Sequence, residues 1–309
     1  MITYVYGDIL QSPAKVLVNA VNTVGVMGKG IAYDFKLCFP DMFERYHQLC
    51  QHGSFNMGQL MLYKTPHKWV LNFPTKRHWR STSRLEDIEV GLQNFVATYA
   101  ERGITSASFP CLGTGSGRLD WERQVRPLME SYLAPLPIPV YIHIYDQSDP
   151  YFPDKRSIRS IRSWLEGDPQ PVSFNKFWRD INRVVRADTQ LKTLDSGEKF
   201  TIGRDSKRRG RNLVVLTTAP QPVFLSETLL VDLWAYIRSA GYALPINFPG
   251  GLDVHGSVLV SLLSEMNTVE AIHLMGEDDI KQIGIHYIPP TQKSGNLQYV
   301  RVNPSEVPQ

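Results

Sequence analysis

Cysteine is scarce in this chain, and long apolar runs are absent. Cys38, Cys50 and Cys111 are the three cysteines among 309 residues, and no two of them form a Cys-x-x-Cys pair. So sparse and odd a set excludes a disulfide framework and a cysteine-based zinc site, and it is typical of a reducing compartment. No stretch of about 18 uncharged apolar residues occurs, and the N-terminus MITYVYGD lacks both a basic and an apolar signal region. We therefore expect a cytoplasmic protein without membrane association.

Charge is distributed unevenly along an otherwise ordinary composition. The chain is 42% hydrophobic and 20% charged, and its length can form two cores of about 150 residues each. The net charge of +3 combines +1 over residues 1–150, +7 over 151–211 and −5 over 212–309. This pattern indicates two different electrostatic faces, or simply a solvated helix face beside a loop.

The first half of the chain alternates between strand and helix patterns. Apolar runs predict strands near 2–6, 16–20, 59–63, 69–73, 105–110 and 139–145. Apolar residues spaced as on one helix face predict helices near 29–38, 40–51, 84–101 and 121–133. Asp41 is expected to cap the second helix, and Ser83 with Glu86 to form a capping box at the third. The alternation implies a mixed, largely parallel sheet covered by helices.

Composition also predicts how the chain divides into domains. Residues 1–148 form the α/β domain, 149–171 a basic helix and linker that ends in GDPQP, and 172–309 a C-terminal α+β domain. The linker helix is expected around 154–166. In the last domain, patterns predict helices near 173–187, 227–240 and 255–267 and strands near 199–202, 212–217, 269–275 and 284–288.

A glycine-rich turn follows the second predicted strand, in NAVNTVGVMGKGIAYDFKL at 19–37. Gly25, Gly28 and Gly30 would let the backbone approach a phosphate closely, and the next helix would offer unpaired amides at its N-terminus. The segment is a candidate diphosphate-binding loop, although a strand, a glycine turn and a helix also occur together without a ligand.

A second glycine-rich loop, PCLGTGSGRLDW at 110–121, also follows a strand and precedes a helix. Two such loops at one sheet edge can enclose a ligand from both sides. Between them, NFPTKRHWR at 72–80 places Lys76 after another strand. Cationic neighbours make a lysine amine easier to deprotonate, which favours a nucleophile; the alternative is a solvated cluster that binds a phosphate backbone.

In order and spacing, four segments resemble the macrodomain of the DarG antitoxins: GDI at 7–9, NAVNTVGVMGKGIA at 19–32, NFPTKRHW at 72–79 and PCLGTGSGRLDW at 110–121. That branch of macrodomains also includes the terminal ADP-ribose glycohydrolases. The resemblance covers residues 1–146 and implies a three-layer α/β/α sandwich that binds ADP-ribose and removes it from DNA bases. It implies a role in DNA repair and phage defence within a toxin–antitoxin system. It implies no metal and no cofactor, with ADP-ribose as ligand and product.

The resemblance further implies roles for single residues. Lys76 matches the catalytic lysine of the branch, Asp120 matches the acid after the second loop of the terminal glycohydrolases, and Asn22 would lie beside the distal ribose. Asp120 can instead cap the following helix, and Asn22 can instead brace its own loop. Asp8 would accept a hydrogen bond from the adenine amino group, or cap a turn. The residues expected to bind ADP-ribose are Asp8, Ile9, Asn19, Gly28, Lys29, Gly30, Ile31, Thr75, Gly113, Thr114, Gly115, Ser116 and Gly117.

Basic and aromatic residues next to Lys76 bear on the substrate. Arg77, Trp79, Arg80 and Arg84 form a rim of the kind that tracks single-stranded nucleic acid, or a generic basic surface. With the resemblance, they favour ADP-ribosylated single-stranded DNA as the substrate. A non-catalytic ADP-ribose reader and a hydrolase acting on protein carboxylates are the competing hypotheses.

The C-terminal domain has two competing interpretations. By position it corresponds to the part of DarG-like proteins that neutralises the cognate toxin, a DarT-like DNA ADP-ribosyltransferase. The acidic stretch 265–279 can imitate DNA phosphates in front of such a toxin, or only solubilise a turn. KRRGR at 207–211 and a basic helix with Arg179, Arg183 and Arg186 favour a domain that holds DNA. No metal is expected at the histidines of this half, which are His255, His273 and His286.

Overall fold

The computed structural model describes residues 2–153, 156–186, 190–205, 209–217, 222–293 and 296–298. The chain forms two compact units. Unit 1 comprises Met1–Gly167 with Gly276–Ile280, and unit 2 comprises Asp168–Met275 with Lys281–Gln309. Among the described residues, no helix has the length and apolar character needed to cross a membrane.

Unit 1 is built on a sheet in the order β1-β6-β5-β2-β4-β3. Four consecutive pairings, from β1 to β4, are parallel, and β3 pairs with β4 in the antiparallel sense at the edge. This confirms the predicted mixed, largely parallel sheet. The strands are β1 (Ile2–Val5), β2 (Val16–Asn22), β3 (Met61–Lys64), β4 (Trp69–Lys76), β5 (Ala107–Pro110) and β6 (Val140–His143).

Helices cover both faces of this sheet. Successive residues of a strand point to opposite faces: the Asn72 amide contacts Met42 Sδ of α2 at 3.0 Å, whereas the ring of Phe73 lies against Gly91 of α3. Helix α1 contacts both α2 and α5, and α3 contacts α4, which gives three layers. The helices are α1 (Gly30–Cys38), α2 (Pro40–Gln51), α3 (Leu85–Thr98), α4 (Arg126–Leu133) and α5 (Ile158–Glu166), with one π turn at Trp121–Val125.

Two predicted helix caps are wrong. Phe39 is the N-cap of α2, with Pro40 in the first turn, so Asp41 lies inside the helix. Arg84, not Ser83, is the N-cap of α3, and it makes no side-chain cap bond. The Ser83 amide instead donates to Gly117 O at 3.0 Å, which draws Ser83 away from the helix toward the second glycine-rich loop.

In its described part, unit 2 combines three α-helices and two 3₁₀ helices with antiparallel strands. Its core includes Trp234, whose ring stacks on Phe177 at 4.5 Å and whose indole N–H donates to Val172 O at 2.9 Å. Ser226 caps helix α7 (Glu227–Ala240), and Gly241 ends it with φ +72°. Sheets run β11-β10-β9-β8 and β16-β15-β7, and β14 pairs with β12 and β13.

The elements of unit 2 are β7 (Asp168–Pro169), α6 (Phe174–Arg186), β8 (Leu191–Lys192), β9 (Lys199–Arg204), β10 (Leu213–Leu216), β11 (Val223–Leu225), α7 (Glu227–Ala240), β12 (Tyr242–Ala243), α8 (Gly256–Leu263), β13 (Val269–Met275), β14 (Lys281–Tyr287), β15 (Thr291–Lys293) and β16 (Asn296–Gln298). The first two residues of the basic segment at 207–211 lie outside the described residues.

Candidate functional site

The predicted site residues gather at one edge of the unit 1 sheet. Parallel strands end at the same edge, so the segments after β2, β4 and β5 converge there. The β2–β4 register pairs Asn22 with Lys76, the last residue of each strand. The Lys76 amine then donates to Ser116 O of the second loop at 2.5 Å. The structure therefore brings both glycine loops and the lysine together, as the sequence predicts.

Asn22 holds the first loop in shape. Its side-chain oxygen accepts from the amides of Val24 and Val26 at 3.1 and 3.2 Å, and its Nδ2 donates to Val26 O at 2.6 Å. The buried Tyr46 hydroxyl of α2 donates to Asn22 O at 2.7 Å. The bracing role of Asn22 is thus confirmed, while its proposed contact with a ribose stays a prediction.

The loop after Asn22 leads into a helix end that can receive an anion. Gly28, Lys29 and Gly30 are exposed, and Gly30 opens α1 with φ +62°. Lys29 is the N-cap of α1 and makes no side-chain cap bond. The first amides of α1 are therefore left for water or a ligand, and the helix dipole and the Lys29 charge both favour a negative group there. Ile31, half-buried, follows in the first turn.

The second loop is packed so tightly that it requires glycine at two positions. Gly113 has φ +71°, a conformation that favours glycine. A Cβ on Gly117 would lie 2.1 Å from Gly113 O and 2.3 Å from Ser83 Oγ. Thr114, half-buried, bonds back to Cys111 O at 3.0 Å, while Gly115 and Ser116 are exposed. The loop is therefore fixed at Gly113 and Gly117, while Gly115 and Ser116 between them face solvent.

Lys76 is held in a cationic and partly desolvated setting. Partial burial lowers the pKa of its amine, and the charges of Lys29 and Arg118 lower this pKa further. Such an amine is free of its proton more often than an exposed lysine, which is what a nucleophile at neutral pH requires. The same arrangement also gives a positive electrostatic environment for a diphosphate.

Asp8 and Asp120 both occupy cap positions. The Asp8 carboxylate accepts from the Leu10 amide at 2.9 Å in the turn Ile9–Gln11, and burial raises the pKa of Asp8. Asp120 is exposed and accepts from the Arg123 amide at 2.9 Å, which confirms the helix-cap alternative. Ligand contacts of either carboxylate stay predictions.

Besides the buried loop glycines Gly113 and Gly117, three side chains that are predicted to contact the ligand are buried in this structure. Asn19 is fully buried, and its amide donates to Asn72 Oδ1 at 2.9 Å beneath the first loop. Ile9 packs in the core, and Thr75 Oγ1 donates to Val21 O at 3.3 Å. Their side chains support the loops from below rather than facing solvent.

The predicted rim residues are exposed, and some of them contact one another or a neighbouring helix. Arg77 forms an ion pair with Asp87 of α3 at 2.8 Å, although its side chain is still 63% exposed. The guanidinium of Arg80 lies 4.5 Å from the ring centroid of Trp79, and Trp79 stacks on His78 at 5.5 Å. Arg84 is exposed. Arg80, Trp79 and Arg84 are thus the rim residues most available to a strand.

Two residues beside the site, Tyr46 and Arg118, are not predicted from the sequence. Tyr46 lies on the buried face of α2, where only the fold shows that its hydroxyl reaches Asn22. Arg118 follows the second loop directly and has φ +64°, a strained conformation for a residue with a side chain. Its position after GTGSG was a usable signal for a charge beside Lys76.

Comparison with known proteins places these features in a family. Residues 18–128 match the family model described as the macro domain. The DNA ADP-ribosyl glycohydrolase of Thermus aquaticus is 38% identical over 147 residues, which cover 46% of this chain and 41% of that protein. A DNA ADP-ribosyl transferase–DNA ADP-ribosyl glycohydrolase fusion protein of Thermosipho africanus is 38% identical over 162 residues, 46% and 42% of the two chains. The match thus spans about two fifths of the length of these relatives.

A shorter relative is covered more completely. The ADP-ribose glycohydrolase OARD1 of Bos taurus is 30% identical over 122 residues, which cover 39% of this chain and 77% of that protein. Among solved structures, the macrodomain of Mycobacterium tuberculosis DarG is 41% identical, with a TM-score of 0.46 over 47% of this chain and 99% of that one. The family model and the relative from Bos taurus together show that the chain belongs, through unit 1, to the macro domain family.

Proposed function

We propose that the chain hydrolyses the N-glycosidic bond between ADP-ribose and a base of single-stranded DNA. The observation that carries the proposal is the position of Lys76, whose amine lies between the two glycine loops at 2.5 Å from Ser116 O. Two relatives bear DNA ADP-ribosyl glycohydrolase in their names, which supports DNA as the carrier of the ADP-ribose. No cofactor or metal enters the proposal.

The chemistry follows from what the two loops can hold. The α1 end with Lys29 takes the diphosphate, and the distal ribose then extends toward Lys76. Asn22 fixes the first loop for this ligand. The neutral Lys76 amine attacks the anomeric carbon as the bond to the base breaks, and a carboxylate takes the proton that the amine loses and passes it to the leaving base. Water then hydrolyses the lysine adduct, which releases ADP-ribose and restores the amine. In the alternative route, water attacks the anomeric carbon directly, the carboxylate transfers its proton to the base, and Lys76 stabilises the charge that develops.

The choice between DNA and protein substrates tests the proposal directly. We expect the full chain to release ADP-ribose from a modified single-stranded oligonucleotide at least about 100 times faster than from modified glutamate side chains, because only the strand engages the rim. Release would be followed by chromatography under matched concentrations. Equal rates, or faster release from glutamate, would favour the protein-directed hydrolase; binding without any release would favour the reader.

Substitutions of Asp120 distinguish its role as a helix cap from a role as a catalytic acid. Asp120→Asn keeps an oxygen for the Arg123 amide but loses the carboxylate, so we expect kcat to fall about 100-fold without a change in Tm. Asp120→Ala should show the same loss of kcat together with a cost of about 1 kcal/mol in unfolding free energy. Steady-state kinetics and thermal melting measure the two effects. Wild-type kcat in Asp120→Asn would restrict the residue to its cap.

The pH profile should depend on the cations around Lys76. Because Lys29 helps to lower the pKa of Lys76, Lys29→Gln should move the rise of kcat/KM to higher pH. The variant should lose most activity at neutral pH, and the part of the loss that comes from the protonated amine should disappear at high pH. The lower plateau that remains there measures the lost contact of Lys29 with the diphosphate. Profiles from about pH 6 to about pH 10 would show this, with exposed Arg45→Gln as control. An unmoved profile in Lys29→Gln would rule out this coupling.

The antitoxin role is also part of the proposal. The Thermosipho africanus relative joins a DNA ADP-ribosyl transferase and a DNA ADP-ribosyl glycohydrolase in its name, which supports a DarT-like transferase as the toxin partner. We propose that both proteins act in the cytoplasm. Cells that express the transferase would be tested for survival with the full chain and with its Lys76→Ala variant. Comparing the two distinguishes reversal of the DNA modification from neutralisation of the toxin. Reversal of the modification needs Lys76, whereas neutralisation by unit 2 does not.

A further inference from the structure

Unit 2 carries a basic pocket that the proposed glycohydrolase chemistry does not use. We call it the arginine pocket; it encloses about 400 Å³ and is lined by Trp178, Arg179, Asn182, Arg183, Arg186 and Arg204. All four guanidinium groups belong to exposed residues. A volume of this size is typical of sites for small ligands or single nucleotide units.

The pocket has a fixed base. Asn182 is 7% exposed; its Nδ2 donates to Trp178 O at 2.8 Å, and its Oδ1 accepts from Arg204 Nε at 2.8 Å. The Arg204 guanidinium also lies 5.9 Å from the ring centroid of Trp178. The hydrogen bond between β9 and α6 therefore fixes the planar Arg204 guanidinium beside the indole ring of Trp178.

The remaining arginines repeat along one side of α6. Arg179 and Arg183 are four residues apart and Arg186 follows three later, so all three project in similar directions. Like charges at these spacings destabilise a helix unless an anion lies between them. Arg183 lies 3.4 Å from Asp180, which already binds Lys176 at 2.5 Å. Across the described ranges, neither Arg179 nor Arg186 has an ion-pair partner. Among the described residues, the carboxylate that pairs with any of these three arginines is therefore Asp180, and Lys176 already shares it.

We propose that the arginine pocket binds the phosphate backbone of single-stranded DNA, with a base stacked on Trp178. Guanidinium groups pair with phosphates in planar, bidentate fashion, and an aromatic ring among them is what distinguishes a strand site from a site for free anions. The net charge of +7 over residues 151–211 adds to the electrostatic attraction between this segment and the DNA phosphates. The assignment to DNA rather than RNA rests on the proposed function of unit 1. The arginine pocket would keep the DNA substrate of unit 1 bound to the same chain.

Binding of an unmodified strand tests the pocket without any glycohydrolase chemistry. The probe is a fluorescein-labelled oligothymidylate of about 15 nucleotides, titrated with the full chain at several salt concentrations. We expect Arg179→Gln/Arg183→Gln to raise Kd about tenfold and to reduce the salt slope by about 1.4, since each phosphate contact to a single strand contributes about 0.7. Arg45→Gln, an exposed substitution outside both the arginine pocket and the rim, should bind as wild type does.

A matched control removes the same charge from the same unit. Lys192 and Lys199 are exposed, pair across β8 and β9 and lie outside the pocket, so Lys192→Gln/Lys199→Gln should leave Kd within about twofold. Stacking is tested separately: Trp178→Leu should raise Kd at least about fivefold, whereas Trp178→Phe, which keeps a ring, should change it much less. Thermal melting checks that each variant is folded.

Three results would overturn the inference. The first is an equal loss of affinity in the arginine and lysine double variants, and the second is tighter pocket-dependent binding of oligouridylate RNA. The third is equal competition by polyglutamate, which would indicate an acidic protein as the partner. Failure of the proposed function is distinguishable: pocket-dependent DNA binding without ADP-ribose release refutes only the hydrolase, and release with unaffected pocket variants refutes only the pocket.

Discussion

Replacing Lys76 by alanine should lower kcat for ADP-ribose release at least about 10³-fold and leave ADP-ribose affinity within about threefold. The reason is that Lys76 acts where charge develops at the anomeric carbon, so its contribution is confined to the transition state. Among the described residues, the amine donates a hydrogen bond to Ser116 O at 2.5 Å, and the loops hold their shape through other bonds. Kinetics and calorimetric titration with ADP-ribose would separate the two quantities.

Lys76→Arg is the informative companion to this variant. Arginine keeps a positive charge at the end of β4 but cannot lose its proton near neutral pH, so it retains phosphate attraction without a nucleophile. We expect it to be as inactive as the alanine variant. If Lys76→Arg kept most of the activity, the lysine would act only as a charge; if Lys76→Ala lost affinity and turnover together, it would be a binding residue of a reader.

Gly117→Ala should disrupt the second loop, with the largest structural effect expected from a single methyl group in unit 1. The new Cβ would lie 2.1 Å from Gly113 O, which is backbone and cannot rotate away, and 2.3 Å from Ser83 Oγ. The bond from the Ser83 amide to Gly117 O at 3.0 Å would break as the segments separate. We expect a cost of about 3 kcal/mol in unfolding free energy and at least about a 100-fold loss of ADP-ribose affinity.

Gly115→Ala is the matched control for the stability of this loop. No atom lies within 4 Å of a Cβ at Gly115, so its unfolding free energy should stay within about 0.5 kcal/mol of the wild-type value. Denaturant unfolding monitored on unit 1 measures both variants. A stable Gly117→Ala that binds ADP-ribose normally would mean that the loop rearranges freely, contrary to its packing against Ser83.

The sequence was most informative where the signal is local. Glycine turns directly after apolar runs located both loops, and the parallel alternation placed Lys76 at their edge, because strand ends converge in such sheets. The partner of Lys76 could not be predicted in the same way. Its bond to Ser116 joins residues 40 positions apart, and it depends on the conformation of the loop rather than on any pattern.

Competing long-range bonds explain the errors and omissions. Ser83 has the sequence of a helix cap, but its amide binds Gly117, and this tertiary bond outweighs the local preference. Asn19 looks like a ligand contact beside the first loop, yet its pairing with Asn72 on the next strand keeps it in the core. Strands of two or three residues are too short to show a period. The ones that the sequence did not reveal are β7, β8, β11, β12, β15 and β16.

The most direct test of the account is the mass of both products after the full chain acts on a single-stranded oligonucleotide carrying one ADP-ribose on a base. Cleavage of the glycosidic bond predicts an oligonucleotide restored to its unmodified mass and one equivalent of free ADP-ribose, with neither product formed by Lys76→Ala. An oligonucleotide that keeps a phosphoribosyl remnant, or that stays fully modified while the chain binds it, would contradict the proposed reaction.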